Sequence, residues 1–145
     1  MTIPSWSAEL SVGIPEMDRS HASMLASLQQ LAGLPDAAFP EAFARLVADV
    51  EQDFAGEEAM MEEIDFPGLH SHLEQHARVL SGLHHAMPRV QEGDTALARQ
   101  VLELLPQWFI FHISTMDMAL AMAALACGWT GAEPPVPSPS LEGSA

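Results

Sequence analysis

Apolar residues recur every three or four positions through most of this chain, a spacing that places them on one face of an α-helix. Glycine and proline separate four such stretches. The first begins near Glu16 and runs to about Ala32, where residues 33–35 end it. The second begins near Pro40, a residue suited to the first turn of a helix, and ends before a turn at residues 65–68.

The other two predicted helices occupy the second half of the chain. The third covers about residues 69–87 and stops at Pro88. The fourth begins after Gly93 and continues to about Cys127. Because a proline inside a helix removes a backbone hydrogen bond and clashes with the preceding turn, we expect a kink near residues 102–106, or two helical pieces there.

Both ends of the chain lack the helical pattern. Residues 1–15 contain two prolines and a glycine and are predicted to form an arm, held by four apolar anchors. These anchors are Trp6, Leu10, Val12 and Ile14. Residues 132–145 are rich in Pro, Ser, Gly and Glu and are predicted to be a disordered tail. The pattern therefore predicts one all-α domain, residues 1–131, followed by the tail.

Composition narrows the classes of partner. The 145 residues carry 20 acidic and five basic side chains, for a net charge of −15. A nucleic-acid surface needs clustered Lys and Arg, which are absent, and binding to an anionic membrane is disfavoured for the same reason. The apolar run at residues 119–127 is too short to span a bilayer. A single cysteine excludes an internal disulfide, and no signal peptide is evident, so we expect a cytoplasmic protein.

Two pairs of candidate ligands have the spacing that puts both side chains on one helical face. His72 and His76 are four residues apart, as are Asp53 and Glu57 on the preceding helix. Each pair also has an ordinary interpretation, as surface histidines in a histidine-rich segment or as part of a solvated acidic stripe. His21, alone on the first helix, could equally be a hydrogen-bonded histidine of the core.

His112 and Asp117 are the most informative single residues. His112 lies within the almost wholly apolar residues 108–113, where a polar group without a partner would cost a few kcal/mol. Asp117 lies among methionine, alanine and leucine, where an isolated carboxylate is costlier still unless it is paired or binds a metal. A spacing of five residues is not a same-face spacing on a regular α-helix, so periodicity alone does not join the two.

Taken in order, these residues and several short motifs resemble the bacterial hemerythrins over about residues 3–122. The motifs are Pro-Ser-Trp at 4–6, Leu-Ser-Val-Gly-Ile at 10–14, Asp-Arg-Ser-His at 18–21, Phe-Ala-Gly-Glu-Glu at 54–58, Met61, Phe-Pro at 66–67, His72, His76, Trp-Phe-Ile-Phe-His-Ile at 108–113 and Asp117. The resemblance implies an up-down-up-down four-helix bundle with an N-terminal arm. It also implies two non-haem iron ions, joined by an oxo or hydroxo bridge, that bind O2.

The resemblance also assigns roles to individual residues. It implies that His72, His76 and His112 bind one iron, that His21 binds the other, and that Glu57 and Asp117 bridge the two. It places Trp108, Phe109 and Ile113 in the wall of the O2 pocket, although ordinary core packing would account for these three residues as well.

Asp53 departs from the family pattern, which has a histidine at this position. Asp53 could ligate the second iron directly, hold a water molecule against it, or leave this metal loosely bound. A carboxylate there adds a negative charge and a hard oxygen donor, which favours the ferric state and admits manganese at one position. We therefore expect a centre that oxidises more easily than that of a typical member.

Three functions are consistent with these features. The first is a non-haem di-iron protein that binds O2, with NO or peroxide as other candidate ligands, and acts as carrier, store or sensor. It needs no catalytic acid, base or nucleophile, and we expect a monomer or weak oligomer. The second is a carboxylate-enriched di-iron enzyme, a peroxidase or oxidase that exploits Asp53. The third is a metal-depleted bundle that serves as an interaction module.

Overall fold

Four helical rods make up the fold in the computed structural model, which describes residues 3–129. The rods are α1, Pro15–Ala32; α2, Phe39–Glu63; α3, Leu69–Gln91; and a fourth rod built from α4, Ala96–His112, a π-helical segment, Ile113–Asp117, and α5, Met118–Ala126. Each rod packs against the one before it, and α4 also packs against α1, which closes the bundle. No strand occurs within residues 3–129. The predicted all-α four-helix bundle is confirmed.

The helices begin and end for local reasons that the sequence signals. α1 starts at Pro15 and α2 has Pro40 in its first turn, where the missing N–H has no intrahelical partner to lose. α2 ends at Glu63, and Asp65, two residues further on, has a left-handed φ of 55°, which lets the Phe66 N–H donate to the Met61 carbonyl oxygen at 2.9 Å. The turn predicted at residues 65–68 therefore ends α2 as expected.

The prediction that α3 stops at Pro88 was wrong, and so was one of the two alternatives predicted at Pro106. α3 does not stop at Pro88 but continues to Gln91. Pro88 is exposed and lies in the last turn, so the His84 carbonyl that it leaves without an N–H partner faces solvent, where water can satisfy it. In the fourth rod, α4 continues through Pro106 to His112, so the chain does not form two helical pieces near residues 102–106, and a π-helical segment follows at Ile113–Asp117.

Two side chains of α1 hold the N-terminal arm: the Gln29 amide donates to the Ile3 carbonyl oxygen and to the Ser5 hydroxyl, and Asp18 accepts from the arm. Asp18 accepts a hydrogen bond from the Ser11 hydroxyl at 2.5 Å and another from the Val12 N–H at 2.9 Å. Val12 and Ile14 are buried in the core, and Trp6 and Leu10 pack against its edge. The four predicted anchors therefore all contact the bundle.

The fourth rod ends at a glycine, as the sequence predicts. Gly128 adopts a φ of 75°, and the Trp129 N–H donates to the Ala124 carbonyl oxygen at 2.9 Å. Cys127, the single cysteine of the chain, is exposed. It lies at the helix end, beyond the last turn that packs on the other rods. The predicted tail, residues 132–145, lies outside the described residues.

The fourth rod is also the most apolar one. Within residues 3–129, Ala96–Ala126 is the one helical span that is long and apolar enough to cross a membrane by length and composition alone, with a mean hydropathy of 1.6 over an 18-residue window. Core helices of bundles have the same character. Four large hydrophobic side chains of this rod are exposed: Leu104, Phe111, Met122 and Leu125. In the middle of this span, His112 and Asp117 are buried and face the other rods.

Candidate metal centre

Side chains from all four rods meet in the middle of the bundle. Two groups of potential ligands have donor atoms within 4.8 Å of one another and share Glu57. The larger group is Glu57, His72, His76, His112 and Asp117, and the smaller is His21, Asp53 and Glu57. The structure therefore brings together all seven residues that the sequence predicted as ligands. Six of them are buried, and Asp53 is half-buried.

The π-helical segment explains how His112 and Asp117 reach the same centre. A π-helix forms hydrogen bonds between residues five apart, so that residues at this spacing lie nearly above one another. Ile113–Asp117 supplies one such turn directly after His112. As a result, the Asp117 carboxylate lies 3.2 Å from the His112 ring, although a regular α-helix would separate them around its axis.

Glu57 faces two positions at once. Its Oε1 lies 3.2 Å from Nε2 of His72 and 3.0 Å from Nε2 of His76. Its Oε2 lies 3.4 Å from Nε2 of His21, on the other side of the centre. A carboxylate in this arrangement presents one oxygen to each of two neighbouring cations.

Asp117 repeats this arrangement from the opposite rod. Its Oδ1 lies 3.1 Å from Nε2 of His72 and 3.2 Å from Nε2 of His112, and its Oδ2 lies 3.0 Å from Nε2 of His21. Two carboxylates therefore connect a three-histidine position to a one-histidine position. This is the ligand pattern of a two-metal site in a helical bundle.

The outer nitrogens of two histidines are held by neighbouring side chains. Nδ1 of His76 lies 3.0 Å from Oε2 of Glu58, and Nδ1 of His112 lies 3.1 Å from Oε1 of Gln75. Since both oxygens only accept, each Nδ1 carries the proton and donates it. The Nε2 lone pairs of these two rings are then free to face the centre, as a metal-ligating histidine requires.

Several buried polar atoms at the centre have no hydrogen-bond partner among the described residues. They are Nε2 of His76, Nε2 of His112, both carboxylate oxygens of Asp117, Oδ2 of Asp53 and Nδ1 of His21 and His72. Buried polar atoms in proteins are nearly always satisfied. Cations between the rings would satisfy the inward-facing ones, and a mixed set of imidazole and carboxylate donors suits iron. The donor set therefore fits two iron ions.

Without metal, protons balance the buried charges. Burial opposes a charge on His21, but its close contacts with Asp117 and Glu57 and the negative charges of both carboxylates outweigh it and raise the pKa of His21 to about 10. The same balance raises the pKa of His72 to about 9. Burial also opposes ionisation of Asp117, yet its close contacts with the rings of His112, His21 and His72 hold its pKa well below the usual value. Metal uptake would displace these protons.

Asp53 lies where a second cation would be. Burial, reinforced by the negative charge of Glu57, raises the pKa of Asp53 to about 7, against smaller opposing effects of the His21 charge and the Ser20 hydroxyl. A cation between Asp53, His21 and Glu57 would offset this shift by stabilising the ionised carboxylate. Asp53 therefore offers an oxygen donor at this position.

Apolar and aromatic side chains of the fourth rod pack around the ligands. Trp108 stacks on His112 with ring centroids 4.6 Å apart, and Phe109 meets His21 edge-on at 5.5 Å. Phe109 and Ile113 are buried, and Trp108 is half-buried. The three residues predicted to wall an O2 pocket thus contact the predicted ligands or lie beside them.

Sequence reasoning missed three residues that support the ligands. Glu58 and Gln75 orient His76 and His112, and Phe54 stacks on His76 with ring centroids 3.8 Å apart. Glu58 was one acid in a stripe of acids, and nothing in the sequence marks which of them meets a histidine on another helix. The sequence indicated only that each metal-binding histidine needs an acceptor for the proton on its other ring nitrogen.

Stability of the metal-free protein is expected to fall as pH rises above neutrality. His21 and His72 have pKa values of about 10 and about 9 in the fold, above the ordinary 6.5. Their contribution is complete below pH 6.5 and is lost as pH rises through the folded values. We expect the unfolding free energy to drop by at least ~2 kcal/mol between pH 6.5 and 10. Urea unfolding of metal-free protein across this range measures it; a flat profile would contradict the assignment.

Removing the Glu58 carboxylate is expected to weaken metal binding without removing a ligand. Glu58→Ala frees the His76 ring and should lower metal affinity about 10- to 100-fold. Competition with a chromophoric chelator measures the change. Glu62→Ala is the control, because Glu62 is an exposed acid of the same helix that does not contact a predicted ligand. Equal affinities in both variants would show that the His76–Glu58 contact has no role.

Comparison with known proteins agrees with this geometry. The family described as Hemerythrin HHE cation binding domain matches residues 12–124. A protein named Bacteriohemerythrin from Ralstonia nicotianae is 37% identical over 117 residues, which cover 81% of this chain and 85% of that protein. A second Bacteriohemerythrin, from Stenotrophomonas maltophilia, is 26% identical over 125 residues, covering 83% of this chain and 81% of the relative.

Proposed function

Because this chain belongs to the hemerythrin family of non-haem iron-binding proteins, we propose that it binds O2 reversibly at two iron ions and serves as a carrier, store or sensor of oxygen. The observation that carries the proposal is the placement of Glu57 and Asp117. Each directs one carboxylate oxygen toward the three-histidine position and the other toward His21. Two cations lying side by side would use all four of these carboxylate oxygens, which supports the proposal.

The ligands divide into three sets. His72, His76 and His112 would hold the first iron. His21 and Asp53 would hold the second, with Glu57 and Asp117 shared. When bound, the two ferrous ions supply the pair of electrons that O2 takes up and returns on release. The oxygen-rich second position would also accept manganese, which element analysis of the loaded protein would reveal.

The protein itself contributes rigid ligands and a dry side. The Nδ1 contacts of His76 and His112 fix both rings before metal arrives. Phe109 and Ile113 exclude water from the face of the centre that they cover. A site with few waters lets a small apolar gas enter while it limits the access of protons, and reversible binding depends on that restriction.

Optical spectra of iron-loaded protein test this function. After anaerobic loading with ferrous iron, we expect about two irons per chain and a visible charge-transfer band that appears under O2 and disappears under nitrogen. Metal analysis gives the stoichiometry, and repeated gas cycles show whether the change is reversible. A protein that stays colourless after loading would overturn the proposal and favour an interaction module.

A peroxidase or oxidase is the second candidate, and Asp53 is the observation that favours it. Asp53 replaces a neutral donor by a negative oxygen donor beside His21 and Glu57. The added charge stabilises the ferric state. Rapid irreversible oxidation, together with consumption of hydrogen peroxide and a reductant in repeated turnovers, would support this candidate over a reversible carrier.

A further inference from the structure

A cleft of about 720 Å³ lies between parts of α1 and α2 and reaches the buried carboxylate Glu57. Small residues line part of this space. Ser20, Ser23 and Ser27 line it from α1, and Gly56 lines it from α2. A Cβ atom built on Gly56 would meet nothing within 4 Å, so the cleft is open where Gly56 lies.

Three carboxylates follow one another along the α2 side of the cleft. Asp49, Asp53 and Glu57 are four residues apart, so each lies about 6 Å further along the same helical face. Their burial increases in the same order: Asp49 is exposed, Asp53 is half-buried and Glu57 is buried. We call these three residues the carboxylate ladder. It leads from solvent to the candidate metal centre.

The cleft is negatively charged overall. Its lining holds one basic residue, Arg19, against four acidic ones. The acidic residues are Glu16, Asp49, Asp53 and Glu57. A cleft of one sign between low-dielectric walls concentrates ions of the opposite sign. At its inner end, Oδ2 of Asp53 is shut off from solvent and has no hydrogen-bond partner among residues 3–129.

Aromatic rings obstruct three other approaches to the centre. Phe54 covers His76, Trp108 covers His112 and Phe109 covers His21. Moving a charged ion through an apolar layer costs several kcal/mol even after relaxation, unless opposite charges compensate at each step. The carboxylate ladder provides such compensation at intervals of about 6 Å.

We propose that the cleft between α1 and α2 is the path by which a divalent cation enters the metal centre, passed along the carboxylate ladder Asp49, Asp53 and Glu57. This inference rests on the proposed two-metal centre and adds the route of loading. Asp49 attracts the hydrated ion at the mouth. At Asp53, a carboxylate oxygen replaces a water molecule of the hydrated ion. Glu57 then binds the ion beside the histidines.

The rate of metal uptake by the metal-free protein tests the path. Stopped-flow mixing with Co²⁺ under nitrogen follows the visible bands of the bound ion. Asp49→Asn removes the outer charge, and Gly56→Leu fills the open space with a good helix former. Each is expected to slow uptake about three- to tenfold. The Asp49→Asn effect should shrink as salt is added, since the mouth is exposed, whereas the Gly56→Leu effect should persist.

A residue that lines the entry path affects the rates of metal uptake and release, whereas a ligand also affects the affinity. Because entry and exit use the same route, Gly56→Leu should slow release to a chelator by the same factor as uptake and leave the affinity unchanged. Glu62→Gln removes an exposed charge of α2 outside the cleft, and Gly82→Leu enlarges an α3 glycine whose Cβ would also meet nothing within 4 Å. Both controls should load at the wild-type rate.

The outcomes separate the two proposals. Asp49→Asn and Gly56→Leu proteins that load as fast as the controls would overturn the path and leave the centre intact. Gly56→Leu that lowers affinity without slowing uptake would also overturn it, because the change would then act on the bound state. Wild-type protein that binds no Co²⁺ would refute the centre itself, and the path with it.

Discussion

Replacing Asp117 by asparagine is expected to reduce bound iron from two ions per chain to one or none. Asparagine keeps the size of the side chain but removes its negative charge and one of its two acceptor oxygens. In the wild-type fold both oxygens are used, one toward His72 and His112 and the other toward His21. Asp117 is fully buried, so no water can take over the lost role.

The size of this effect follows from burial. Removing one member of a buried, compensated set of charges costs about 3–5 kcal/mol, because the remaining charge is left uncompensated. We therefore expect at least a 100-fold loss of affinity for the weaker-bound ion. Iron analysis after anaerobic loading and gel filtration measures it. Glu103→Gln, an exposed acid of α4, should keep both ions. Two tightly held irons in the Asp117→Asn protein would exclude a bridging role.

The sequence predicts the rods of the bundle because their boundaries depend on local chemistry. Pro40, Asp65 and Gly128 act through the backbone of their own turn, so that the starts and stops near them can be read from neighbours alone. Pro88 misled the prediction because its cost depends on solvent. A proline on the exposed side of a last turn leaves a carbonyl that water can satisfy, and exposure is a property of the whole fold.

Spacing alone predicts which ligands share a face on a regular helix. It does not predict the shared face of the two ligands on the fourth rod. His72 and His76 share a face by spacing alone. His112 and Asp117 share one only because Ile113–Asp117 is π-helical, and no residue type in that segment signals it. The resemblance to hemerythrins joined the pair where periodicity did not.

The supporting contacts lie beyond sequence reasoning because they join distant positions. Glu58 meets His76 across 18 residues of chain, and Gln75 meets His112 across 37. Only the packing of α2 on α3, and of α3 on α4, decides which of several similar side chains makes the contact. The cleft beside α1 has the same origin, since it depends on how far two packed helices are held apart.

Replacing Asp53 by histidine is expected to slow oxidation of the iron-loaded protein in air by at least tenfold. Asp53 lies with His21 and Glu57 around the second position, where a carboxylate adds one negative charge beside the metal. At ~4 Å and an effective dielectric constant of ~20, a unit charge contributes about 4 kcal/mol. Even half of this, about 2 kcal/mol, favours the ferric state roughly 30-fold. A neutral imidazole removes that bias and retains a donor.

Two further variants at Asp53 separate charge from ligand identity. Asp53→Asn removes the charge without adding a ring, and Asp53→Glu keeps the charge. If charge controls oxidation, the histidine and asparagine variants should both oxidise slowly, and the glutamate variant should remain near the wild-type rate. The decay of the oxygen-dependent visible band under air at constant pH gives each rate. If only the histidine variant is slow, the identity of the donor controls the reaction; if neither is, Asp53 lies too far from the metal to act on it.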